Sequence, residues 1–230
     1  MFFKPYRLHR RAPDAAARLA ARDAVLDAPY MSSNNLNARF AGTYGFSVVF
    51  RREGLPKVLE RFPAFAPFFA AALEARCNAF FCNPLLIADG AGVQPHVDMS
   101  MQTYAPACGP PAAVSVWYLQ VPPGLVGGAL KLYRGLRPIA ELTPREGTLL
   151  TFRGDLRHEV ARVTGGAPTI YDARLSLVVE QYRLPAEALA GVPPCLVGSR
   201  RETQAHEPPL AGGVGEGAFG EALREALEEP

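Results

Sequence analysis

The sequence predicts a mainly β protein with flanking α-helices, its strands arranged as a sandwich or barrel. Short apolar runs recur from residue 78 to 183, Gly and Pro separate them, and helical spacing falls before residue 77 and in the last residues of the chain. The chain has 230 residues and is 49% hydrophobic, enough to bury one full core, so a single structural domain is expected.

The elements follow in order. Residues 14–28 are alanine-rich with Leu19, Val25 and Leu26 on a helical repeat, and Pro13 stands where a first helical turn tolerates proline. Residues 44–51 (YGFSVVFR) read as a strand from their aromatic and β-branched content, and residues 67–76 (PFFAAALEAR) as a helix. Residues 1–76 are thus expected to form N-terminal helices and a supporting strand packed on a core spanning 77–195. In that core the strand-like runs are AFFCNPLLIAD, AAVSVWYLQV, GALKLYR, GTLLTF, HEVARV and RLSLVVEQY. Gly90, Gly92, Pro110, Pro111, Pro144, Gly147, Gly165 and Pro168 fall between runs as turn formers, which predicts antiparallel pairing. Residues 196–230 are rich in Gly, Pro and Glu and read as a partly flexible tail with a short helix over 219–228.

A net charge of +2 gives no electrostatic footprint for nucleic acid or an anionic membrane, and neither is expected as a partner. Cys77, Cys82, Cys108 and Cys195 form no CxxC pair and no dense spacing, which argues against a zinc knuckle or a disulfide framework. The basic N-terminus lacks the apolar stretch of a signal peptide, and no run approaches the roughly 18 apolar residues of a membrane helix. A cytoplasmic protein with reduced thiols is the expectation.

Chemistry concentrates in GVQPHVDMS, residues 92–100. In extended chain His96 and Asp98 point to the same face, because strand side chains alternate with a period of two. His158, on a later strand in FRGDLRHEV, supplies a third ligand. Two histidines and one carboxylate on one face of Fe(II) leave three adjacent positions open, as oxygen chemistry requires, whereas four-coordinate structural zinc leaves none. Arg174 lies on the next predicted strand with Ser176 on its face, a guanidinium fork beside a hydroxyl. Such a fork suits a carboxylate held inside an apolar barrel. Other readings of Arg174 are a surface residue or a partner of Asp172 or Glu180, with Arg162 and Arg183 as alternative anchors.

In these residues the sequence resembles the Fe(II)/2-oxoglutarate-dependent oxygenases, in particular the branch similar to prolyl 4-hydroxylases. The resemblance spans about residues 83–183. It rests on DGAGVQPHVD, on WYLQVPPGLVGGALKLY with its Gly-Gly turn, on PREGTLLTF before the distal HEV, and on the late arginine strand. It implies a double-stranded β-helix, a jelly-roll or cupin-like barrel, with Fe(II) held by His96, Asp98 and His158 and 2-oxoglutarate by Arg174. It further implies consumption of O2, release of succinate and CO2, and hydroxylation of a peptidyl or small-molecule substrate. Two departures stand out: Arg174 replaces the lysine common in prolyl 4-hydroxylases, and the tyrosine that some carry shortly before HxD is missing. Asp98 speaks against a halogenase, since those resemble this family but lack the carboxylate.

Around this frame Tyr118, Trp117 and Asn83 are candidates to line the pocket, with Tyr118, Asn83 and Ser176 as contacts to 2-oxoglutarate. Met99, Met101 and Tyr104 are candidates to meet substrate. Asp155 and Glu159 are expected to make salt bridges beside His158, and Gly127 and Gly128 a tight turn. The alternative from another class is a non-catalytic cupin-like barrel that binds a metal and a small molecule as a sensor. The sequence leaves substrate and oligomeric state open.

Overall fold

The computed structural model describes residues 5–33, 38–165 and 169–199; the tail helix expected over 219–228 lies outside the described residues. The N-terminal part holds β1 (Tyr6–Leu8), α1 (Ala15–Leu26), β2 (Ser32–Ser33), β3 (Thr43–Gly45), β4 (Ser47–Arg51), α2 (Leu55–Arg61) and α3 (Ala66–Ala72). There follow β5 (Ala79–Ile87), β6 (Val93–His96), β7 (Ala113–Gln120), β8 (Val126–Gly127), β9 (Leu130–Arg134), β10 (Arg137–Leu142) and β11 (Leu149–Arg153). The chain continues through β12 (Arg157–Val160), β13 (Val163–Thr164), β14 (Arg174–Tyr182), α4 (Ala186–Ala190) and β15 (Cys195–Gly198).

Two sheets face each other. The larger has the path β1-β11-β7-β14-β5-β3-β2, with β4 and β15 attached beside β5, and the smaller has the order β10-β9-β12-β6. Every pairing among the described strands is antiparallel, as the turn residues predicted. The arrangement is a double-stranded β-helix, the fold class expected from the sequence.

Both faces of the larger sheet are covered, which explains why its central strands read as unbroken apolar runs. On β7, Trp117 and Leu119 join Leu175, Leu177 and Val179 of β14 against Val25, Phe65, Phe68 and Phe69 of the helical layer. The intervening residues Val114, Val116 and Tyr118 turn toward Leu130 and Leu132 of the smaller sheet. The same alternation on β14 sends Arg174, Ser176, Val178 and Glu180 into the space between the sheets.

α1 starts at Asp14, whose carboxylate accepts from the backbone N–H of Ala17 at 2.8 Å, a side-chain N-cap. α3 ends at Ala72, with Leu73 already extended, earlier than the expected 76. There the backbone N–H of Glu74 donates to the buried amide oxygen of Gln181 at 2.7 Å, and Gln181 in turn donates to Ala72 O and Ser115 Oγ. A β14 side chain therefore terminates the helix and ties it to the sheet. The expected strand over 44–51 is divided into β3 and β4 at Phe46. HEVARV likewise divides into β12 and β13. No helix among the described residues is long and apolar enough to cross a membrane.

Candidate metal centre

His96 ends β6 and His158 lies on β12, and the two residues stand directly opposite each other in the antiparallel register. Their ring centroids are 4.4 Å apart. Asp98, two residues beyond His96, places Oδ1 3.1 Å from His96 Nε2 and Oδ2 3.5 Å from His158 Nε2. All three side chains are buried, and one donor atom from each lies within 4.8 Å of the others.

The backbone sets the imidazole tautomers. His96 Nδ1 stands 2.8 Å from Gln94 O and His158 Nδ1 3.1 Å from Leu156 O. A carbonyl can only accept, so each Nδ1 carries the proton and each Nε2 presents a lone pair toward Asp98. Imidazoles oriented through the far nitrogen are the usual arrangement of metal-ligating histidines. Burial lowers the pKa of His158 and keeps it neutral, outweighing the pull of Asp98. Burial works to raise the pKa of Asp98, but its electrostatic interactions with His158 and His96 prevail and hold it below the ordinary carboxylate value. Neutral imidazoles beside an ionised carboxylate are the forms that bind a divalent metal.

Arg174 shares this cavity. It is 1% exposed, its Nε and Nη1 have no hydrogen-bond partner, and its Cζ lies 5.0 Å from the centre of the Tyr118 ring. The buried Tyr118 hydroxyl makes no hydrogen bond of good geometry either, and its nearest polar group is Arg174 itself. Three orphaned donors converge where an unpaired polar group is expensive, which marks a seat for an anion. Arg174 does not reach the surface and forms no ion pair with Asp172 or Glu180, so the two structural readings of it are set aside.

His96, Asp98, His158, Arg174, Ser176, Tyr118 and Asn83 all line one cavity, together with Phe40, Phe81 and Glu180. Ser176 Oγ is buried with only a long contact to Leu85 O, at 3.5 Å. The amide nitrogen of Asn83, assigned from its surroundings, donates to Phe46 O and Pro84 O, leaving its oxygen for any contact in the cavity. Trp117 is on the opposite face, stacked on Phe68 at 5.9 Å, and belongs to the core beneath the helices. Of the residues after the metal segment, Met101 is packed in the core, whereas Met99 and Tyr104 line an outer cleft of about 630 Å³ that shares Phe40, Phe81, His96 and Asp98 with the inner cavity. Asp155 pairs with Arg153, and Glu159 lies 3.6 Å from Lys131 while accepting from Tyr133 OH, so both make surface contacts beside His158.

The sequence reading did not give Glu180 a place at this centre. Alternation along RLSLVVEQY from Arg174 puts it on the cavity face, and that period was the available signal.

No protein-family model matches the chain, and no curated protein does. Among solved structures, a prolyl-4-hydroxylase from Pseudomonas putida is similar with a TM-score of 0.50 and 18% identity, covering 79% of this chain and 94% of that one. A prolyl hydroxylase from Trichoplax adhaerens, solved with a hypoxia inducible factor oxygen degradation domain peptide fragment, gives a TM-score of 0.53 and 15% identity over 81% and 86%. At such identity the likeness is one of fold. Fold and geometry together define a double-stranded β-helix with a His-Asp-His cluster and a buried arginine between its sheets.

Proposed function

We propose that this protein is an Fe(II)- and 2-oxoglutarate-dependent dioxygenase that hydroxylates a C–H bond of a peptidyl residue, a free amino acid or another small metabolite. The observation that carries the reading is one cavity holding both a two-histidine, one-carboxylate ligand set and a buried guanidinium with two unmatched N–H groups. In it His96, Asp98 and His158 hold the metal and leave adjacent positions open. Arg174 and the Tyr118 hydroxyl take the distal carboxylate of 2-oxoglutarate, which satisfies the orphaned donors and neutralises the buried charge. When bound, the iron supplies the activation of O2 that couples decarboxylation of 2-oxoglutarate, to succinate and CO2, to oxygen insertion. The apolar walls from Val114, Val116, Leu130, Phe152 and Val178 exclude water around these charges. The fold shared with two prolyl hydroxylases supports the same reading.

Succinate formation is the test: protein loaded anaerobically with Fe(II) is given 2-oxoglutarate and air, beside Asp98→Ala and Arg174→Ala. Slow substrate-free turnover is expected in the native protein, with loss of metal binding in the first variant and of 2-oxoglutarate binding in the second. Should the metal-loaded native protein neither turn over nor bind 2-oxoglutarate by calorimetry, the barrel is a metal-binding sensor of the cupin kind.

A further inference from the structure

Glu180 is a buried carboxylate for which the reading above has no task. Six residues beyond Arg174 on β14, it lies on the cavity-facing side of the strand, 5% exposed, and lines the same cavity as the metal ligands. Its surroundings are built for an anion. Ser100 Oγ donates to Oε1 at 2.6 Å, the buried Tyr182 hydroxyl donates to Oε2, and the backbone N–H of Ser100 also donates to it. Donors converging on both oxygens can hold a carboxylate once it is ionised. Yet among the described residues no cationic side chain pairs with it. Burial, and then Asp98, push its pKa well above the ordinary value, as expected of an anion site that lacks its counter-charge.

The bound co-substrate does not supply that charge. Fe(II) is a dication and 2-oxoglutarate a dianion, so with Asp98 and Arg174 the charges of the loaded cavity cancel, and Glu180 has no counter-charge when it ionises. Resting on the oxygenase reading, we propose that Glu180 is the recognition residue for a protonated nitrogen, an amine or guanidinium, on the substrate to be oxidised. The cation enters from the outer cleft, which borders the metal ligands and Ser100. Ser47, Gln102 and Thr103 of that cleft are neutral, and its charged side chains are Arg39 and the metal-site carboxylate Asp98.

The test uses the full chain loaded with Zn(II) and 2-oxoglutarate, titrated with n-butylamine, n-butylguanidine and, as the uncharged counterpart of equal length, n-butanol, each followed by ligand-observed NMR. Both cations are expected to bind about tenfold or more tightly than the alcohol, the scale of one charge-assisted hydrogen bond. In Glu180→Gln, which keeps the shape, that preference disappears while 2-oxoglutarate affinity is unchanged. Equal binding of amine and alcohol by the native protein overturns the proposal without needing a folded variant, and so does a preference that survives in Glu180→Gln. Failure of the oxygenase reading is seen separately, as absence of 2-oxoglutarate binding in the same samples.

Discussion

Arg174 is a liability to the free protein. Its guanidinium is fully buried, two of its nitrogens lack a hydrogen bond of good geometry, and only Tyr118, through its ring face and hydroxyl, offsets the lost hydration. Arg174→Met, similar in length and free of charge, is therefore expected to stabilise the ligand-free protein by about 1–2 kcal/mol, a rise of several degrees in thermal midpoint. The same variant should lose 2-oxoglutarate binding. A midpoint that falls instead would show that the native guanidinium is satisfied without ligand. At this scale the sequence was readable where chemistry follows from alternation: His96 and Asp98 share a face two residues apart, and so do Arg174 and Ser176. Glu180 obeys the same period, but its task depends on Ser100, 80 residues away in the chain, and on the absence of a cation among the neighbours that folding brings to it.

The Gly-Gly turn entering β9 illustrates how elements position the site. Gly128 has φ +68°, and a Cβ there would lie 3.0 Å from Arg174 Cδ and 3.4 Å from Nε. Glycine thus serves both the backbone conformation and the close approach of the arginine stem. Gly128→Ala is expected to lose about 1–2 kcal/mol of stability from the left-handed conformation and, because it pushes the stem aside, to raise the KM for 2-oxoglutarate more than it changes kcat. An effect on thermal midpoint alone would reduce Gly128 to a turn residue. The strands that carry Asn83, Tyr118 and Arg174, namely β5, β7 and β14, were legible because helices cover one face and the cavity the other, which leaves long apolar runs. β10 was not, since it is a largely exposed strand at the end of the smaller sheet whose sequence RPIAEL carries no apolar run. α2 has only seven residues with Pro56 near its start, too few turns to display a period.

Over the whole molecule, the buried titratable groups predict opposing limbs in the stability of the metal-free protein. The pKa of His158 is lowered in the fold, so its contribution is complete above 6.5, the ordinary value, and is lost as pH falls through the folded value. Glu180 runs the other way: its raised pKa gives stability that is complete below 4.5 and lost as pH rises through the folded value. Metal-free protein should therefore be most stable between the two limbs, and Glu180→Gln should flatten the alkaline one only. A divalent metal adds stability by mass action, about 2.7 kcal/mol at a hundredfold excess over its Kd. In a chain of this size that is a rise of roughly 5–10 °C. Because the metal needs neutral imidazoles, the rise should be full above pH 6.5 and fade only as pH falls through the lowered folded value of His158. Thermal midpoints of metal-free and Zn(II)-loaded protein across pH 5–8, measured with and without His158→Ala, decide the matter. A metal-induced rise that survives in His158→Ala would place the metal on other ligands.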